Sequence, residues 1–151
     1  MKLIRKARKE DREQVIGLLK QFPQEEIPIE WESAAATFLR LVVERERYSI
    51  FVAEENGRLL GVVTMSYPEA IRCCGVYTCI EEFIVAAEGR GKGIGGKLLA
   101  AAIEEASSRE CYELQVNNPS VAGYPVYLKY DLQDLGKHLK LLLPKGVHSI
   151  E

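Results

Sequence analysis

Apolar and charged residues alternate through "KLIRKA", Lys2 to Ala7, the period-two pattern of a strand with one buried face. In "KEDREQVIGLLKQF" the spacing changes, and Val15, Ile16, Leu18, Leu19 and Phe22 recur at helical intervals. Pro23 and Pro28 bracket an acidic loop, after which a second helix is expected from about Glu30, burying Ala34, Phe38, Leu41 and Val42. "YSIFVAEENGRLLGVVTMSY" holds two β-rich runs around "ENGR", a hairpin with Asn56 and Gly57 at its turn. "VYTCIEEFIV" predicts a third strand of what is most simply an antiparallel meander. From Ile94 to Ser107 the period is helical again, with Leu98, Leu99, Ala102, Ile103 and Ala106 facing inward. "CYELQV" is the next expected strand, followed by a short helix containing Tyr127 and a closing strand at "HLKLLL". No repeat, linker or low-complexity segment interrupts the order, so residues 1–151 read as a single domain.

Composition narrows the function classes. A chain of 151 residues can bury a core without metal or disulfide support. With 20 Lys+Arg against 22 Asp+Glu and a net charge of -2, nothing points to nucleic acid as a partner. No apolar run reaches membrane-spanning length, and the N-terminal "MKLIRKARKEDRE" is too charged for a signal peptide; a cytoplasmic protein without membrane contact is expected. Cys73, Cys74, Cys79 and Cys111 lack CxxC spacing and a histidine-rich neighbourhood, so reduced thiols and no metal are expected.

The chemistry concentrates in "EGRGKGIGGKLL", residues 88–99, which fits three patterns. Gly91, Gly93 and Gly96 give GxGxxG; Gly91, Gly96 and Lys97 give GxxxxGK; Arg90, Gly93 and Gly95 give RxxGxG. Each is a glycine-rich turn feeding a helix N-terminus, whose free amides and dipole attract a phosphate. A magnesium-binding P-loop needs Ser or Thr after the lysine, where this chain has Leu98. A dinucleotide site needs an acidic residue about 20 positions on to hold the ribose, where the chain has Asn117 and Asn118. The preceding hairpin strands also do not suit a parallel nucleotide-binding sheet.

The remaining pattern, RxxGxG within "IEEFIVAAEGRGKGIGGKLLAAAIEEA", resembles motif A of the GNAT superfamily, the acetyl-CoA-dependent N-acetyltransferases. The order of elements is similar to that family's over nearly the whole chain. The resemblance implies an α/β (α+β) fold: a central mixed, mostly antiparallel sheet of six to seven strands, about four helices, and a splay between strands 4 and 5. It implies acetyl transfer from acetyl-CoA to a primary amine, small molecule or peptide, by direct attack in a ternary complex, and it allows a homodimer. An acyl-CoA-binding regulatory module without turnover is the alternative reading, and a nucleotide-binding domain a more remote one.

The resemblance also assigns roles residue by residue. Amides from Gly91 through Lys92, Gly93, Ile94 and Gly95 to Gly96 would cradle the pyrophosphate, with Arg90 and Lys92 as countercharges. Backbone groups of Phe83, Ile84 and Val85 would pair with the pantetheine arm as if it were another strand. The attacking amine must lose a proton, which makes Glu81 or Glu82 the candidate base. Strand alternation puts these two on opposite faces. Tyr127 is the candidate acid for the leaving thiolate, with Tyr124 as substitute. The family pattern ahead of that tyrosine is altered, since Ser120 stands where asparagine is usual, Gly123 where alanine is usual, and Pro125 lies two residues before Tyr127. Glu25, Glu26, Glu30 and Trp31, in the loop between the first two helices, are candidates for binding a cationic acceptor.

Overall fold

The computed structural model describes residues 2–22 and 28–143. Strand β1 (Lys2–Lys6) leads through a single 3-10 turn into α1 (Arg12–Leu19), and α2 (Trp31–Val43) follows. The hairpin β2 (Tyr48–Glu55) and β3 (Arg58–Ser66) forms as the pattern predicts, with Asn56 and Gly57 both at positive φ, 52° and 79°. A miniature hairpin, β4 (Glu69–Ala70) with β5 (Gly75–Val76), precedes β6 (Thr78–Val85). It was not legible as a pair, and it splits the run "VYTCIEEFIV" at Tyr77. Helix α3 (Ile94–Ser108), β7 (Leu114–Val116) and α4 (Tyr124–Lys129) complete the regular elements of the described residues.

Five of the seven strands among the described residues form the main sheet, in the order β1-β2-β3-β6-β7, antiparallel except for the parallel β6–β7 pair. Two apolar clusters cover its faces. Val15 and Leu18 of α1 and Phe38 and Val42 of α2 pack with Ile50, Val52, Val62 and Ile84 on one side. Leu98, Leu99, Ala102 and Ala106 of α3 and Tyr127 of α4 pack with Val63, Met65, Ile80 and Phe83 on the other. β3 is buried from Leu59 to Met65 because both faces and both edges are occupied.

One expected strand is absent. Residues 138–143 of "HLKLLL" pair with nothing among the described residues, and Leu139 and Leu141 are exposed. Their period-two pattern is correct for a strand, but a strand also needs an edge. The chain leaves α4 through Asp131 at φ 70° and Gly136 at φ 109°, and among the described residues it does not return beside β7.

Candidate active site

The glycines of the loop have different physical reasons to be glycine. Gly91 and Gly93, at φ 80° and 75°, supply the left-handed turns that bring the chain from β6 into α3. Gly95 lies under the Phe83 ring, where an added Cβ would sit 3.4 Å from its Cζ. Gly96 lies under Tyr130, whose hydroxyl would be 2.9 Å from such a Cβ. Lys97 is the first residue of α3 whose amide bonds back along the chain, to the Gly93 carbonyl at 3.2 Å. The amides of Ile94, Gly95 and Gly96 have no helical acceptor, which leaves the positive end of α3 open to an anion. Tyr130, which the sequence reading missed, stands over this turn; its only local signal was its position three residues after Tyr127 on the same helical face.

The two loop cations are not equivalent. Lys92 is drawn toward the sheet: its carbonyl accepts from Lys2 Nζ at 3.2 Å, and its own Nζ lies 3.7 Å from Glu55. Arg90 is exposed, and its side chain has no hydrogen-bond or ion-pair partner among the described residues.

Beside the loop the sheet opens. β6 and β7 pair at Thr78–Leu114, Cys79–Gln115 and Ile80–Val116, and there the pairing stops, so the rest of β6 has a free edge. This is the splay expected between the family's strands 4 and 5. The Ala86 amide donates to the Leu60 carbonyl at 2.8 Å. Antiparallel alternation then points the amide groups of Ile84 toward β3, and those of Phe83 and Val85 toward the opening.

The carboxylates depart from expectation. β6 carries one residue more than β3 between the pairs Thr64–Glu82 and Met65–Ile80, a β-bulge at Glu81. The extra residue cancels the alternation, so Glu81 and Glu82 lie on one face rather than opposite faces. Their partners demonstrate this: Ser66 donates to Glu81 at 2.7 Å and Thr64 donates to Glu82, and two residues apart on β3 share a face. It is the face covered by α1 and α2. Burial raises the Glu82 carboxyl above the ordinary glutamate range, the Thr64 hydrogen bond opposes this, and the Glu81 charge adds to it. Glu81 itself is exposed.

Tyr127 lies across the opening, on the α3 face. Pro125 falls in the first turn of α4, where its missing amide costs no helical bond, and the Tyr127 amide bonds to the Gly123 carbonyl at 3.1 Å. Ser120 turns the chain into this helix by accepting the Gly123 amide at 3.0 Å. Gly123 permits close packing, since a Cβ there would lie 3.3 Å from both the Phe83 and Tyr127 rings. Tyr127 is buried, and that burial, with Cys79 nearby, holds its phenol protonated well above the usual range. Tyr124 instead faces outward and donates to Asp134 at 2.9 Å. Cys79, at the mouth of the opening, accepts from Asn117 at 3.7 Å, and burial pushes its thiol up to about 11.

In the acidic loop, Glu30 caps α2, accepting the amides of Glu32 at 3.2 Å and Ser33 at 2.9 Å. Trp31 lies beneath the Lys20 ammonium, 5.5 Å from ring centroid to Nζ. Glu25 and Glu26 lie outside the described residues. No group of three metal-ligating side chains occurs among the described residues.

Comparison with known proteins agrees with this geometry. Residues 7–129 match the profile described as "Acetyltransferase (GNAT) family". Among similar proteins is glucosamine 6-phosphate N-acetyltransferase 1 of Oryza sativa subsp. japonica, 30% identical over 113 residues, covering 72% of this chain and 68% of the rice protein. Among solved structures, glucosamine-6-phosphate N-acetyltransferase from Arabidopsis thaliana superposes with a TM-score of 0.79 at 23% identity, over 94% of this chain and 98% of that one. A predicted acetyltransferase from Clostridium acetobutylicum, solved with acetyl-CoA, superposes with a TM-score of 0.78 at 21% identity, over 98% and 100% of the two chains. At these identities the two structures establish a shared fold.

Proposed function

The chain belongs to the acetyltransferase (GNAT) family, and from that premise we propose that it transfers acetyl from acetyl-CoA to a primary amine by direct attack in a ternary complex. The observation that carries the reading is the opening between β6 and β7, where the free amide groups of Phe83 and Val85 lead to the unpaired N-terminal amides of α3. An extended pantetheine arm suits the first, and a pyrophosphate suits the second.

Glu82 is the base. An amine with a pKa of about 10.4 is mostly protonated at neutral pH. A carboxylate whose own pKa is raised by burial is better matched to take that proton than an exposed one. Glu81, on the same face and in water, holds the ammonium form near Glu82 before attack. Tyr127, kept neutral by its surroundings, supplies the proton to the departing thiolate. Cys79 is not a nucleophile on this route, because its thiol stays protonated at neutral pH.

The test is release of free CoA from acetyl-CoA across an amine panel: protein N-termini, lysine peptides, polyamines, aminoglycosides and amino sugar phosphates. Glucosamine 6-phosphate belongs in it because two of the similar proteins are named for that substrate. Turnover with at least one amine that falls by more than about 100-fold in Glu82→Gln supports the reading. Tight acetyl-CoA binding with no thiol release from any amine would replace it with the acyl-CoA-binding module.

A further inference from the structure

Thr64 sits near the C-terminal end of β3, 6% exposed, where a hydroxyl is unfavourable unless it is bonded. Its Oγ1 makes two bonds to a single residue. It accepts the Glu82 backbone amide at 2.9 Å, and it donates its own hydrogen to Oε1 of the Glu82 carboxylate. The first bond fills the place in the β3–β6 ladder that the bulge at Glu81 removes. The second occupies one carboxylate oxygen and leaves Oε2 to accept a proton from an amine.

We propose that Thr64 is the positioning residue for Glu82, one hydroxyl that both closes the bulge and fixes the orientation of the base. The inference rests on the reading of Glu82 as the base. A valine at this position would fit the strand and the volume but could do neither task, whereas serine could do both. Among the described residues, Glu81 is the charged group that acts on Glu82. β7 has no ionisable side chain, and Arg58 of β3 is paired with Glu88. On the helices that cover this face, the charged side chains, Arg12 and Glu13 of α1 and Glu32 and Arg40 of α2, are all exposed. Removing the Thr64 donor therefore withdraws the main support of the charged form, and the carboxyl should titrate at higher pH.

The experiment follows the glutamate side-chain carboxyl carbons by NMR across pH in the 151-residue chain, with Glu82→Gln identifying the Glu82 signal. In Thr64→Val the Glu82 midpoint should rise by about one pH unit, and in Thr64→Ser it should stay close to the parent value. Thermal melting of each variant confirms folding. Steady-state kcat/KM against pH, with glucosamine 6-phosphate or otherwise the fastest amine of the panel, should show its acidic limb moving with the same midpoint. An unmoved Glu82 midpoint in Thr64→Val overturns the proposal. Full turnover in Glu82→Gln, with the midpoint still shifted in Thr64→Val, instead rejects Glu82 as the base and leaves the clamp as a structural contact.

Discussion

The rings of Phe83 and Tyr127 lie 5.2 Å apart between centroids and are tilted by 45°. This contact ties the strand that carries the candidate base to the helix that carries the candidate acid, across the opening where β6 leaves β7. Gly123 makes it possible, because a side chain there would press on both rings. Replacing Tyr127 with Phe keeps the ring contact and removes the hydroxyl alone. Turnover should fall by about 100-fold while the acetyl-CoA dissociation constant stays within about twofold. Because the phenol is held protonated above its ordinary value, parent turnover should show no loss of the acid up to about pH 10. Steady-state thiol release and calorimetry measure both; unchanged kcat would remove Tyr127 from the mechanism.

Arg90 and Lys92 read alike in the sequence but not in the fold. The Lys92 side chain is engaged with Glu55, and the Arg90 side chain has no partner among the described residues. Arg90→Ala should weaken acetyl-CoA binding about fivefold, a contact worth roughly 1 kcal/mol at an exposed position. Lys92→Ala should change it by less than about twofold. Calorimetry at low and at high salt checks the pair, since the Arg90 effect should shrink as salt screens it. Equal losses for the two variants would refute the distinction.

The difference between these two cations shows what kind of information the sequence lacked. Local patterns were legible: the Asn56–Gly57 hairpin, the inward face of α3 and the glycine turn ahead of it all depend on residues within a few positions of one another. The bulge at Glu81 depends on the register between β3 and β6, which no count along β6 contains, and that one residue decides the face of both carboxylates. The same holds for Glu30. As a member of an acidic run it looked available to a cationic substrate, but it is committed to the first amides of α2. Charge type is written in the sequence, whereas whether a charge is already satisfied is a property of the fold.

Asp11 gives a pH dependence whose sign is fixed. Its carboxylate accepts from Arg5 at 2.8 and 2.9 Å and from the Arg8 amide at 2.7 Å. The Arg5 bond holds its pKa below the ordinary aspartate range, against the opposing effect of burial. The folded state therefore binds this proton less readily than the unfolded chain does. The stabilisation is fully present above about pH 4 and is lost as pH falls through the lower folded value. Asp11→Asn should cost about 2 kcal/mol at pH 7, and the gap between variant and parent should narrow below about pH 4. Urea denaturation at pH 7, 5 and 3 measures it, and a gap that widens on acidification would contradict the assignment.

Gly61 links stability to the cofactor site. It sits on β3 where α3 crosses the sheet, and a Cβ there would lie 2.8 Å from Leu98 Cδ1, 3.2 Å from Ile94 Cγ2 and 3.2 Å from the Ile84 carbonyl oxygen. The leucine tip can turn aside, but the carbonyl belongs to β6 and cannot move without moving the strand. Gly61→Ala should therefore destabilise the fold by about 1–3 kcal/mol through overpacking. Part of the strain should be relieved by lifting Ile94 and Leu98, which are in the first turns of α3, away from the sheet. That displacement carries the free amides of Ile94, Gly95 and Gly96 with it, so acetyl-CoA affinity should fall along with stability even though Gly61 contributes no group to the pyrophosphate. A urea midpoint and a calorimetric titration on the same sample distinguish this from simple loss of folded protein: the binding stoichiometry should stay near one while the dissociation constant rises. Reduced stability with an unchanged dissociation constant would mean that α3 is held at its N-terminus independently of the contact at Gly61.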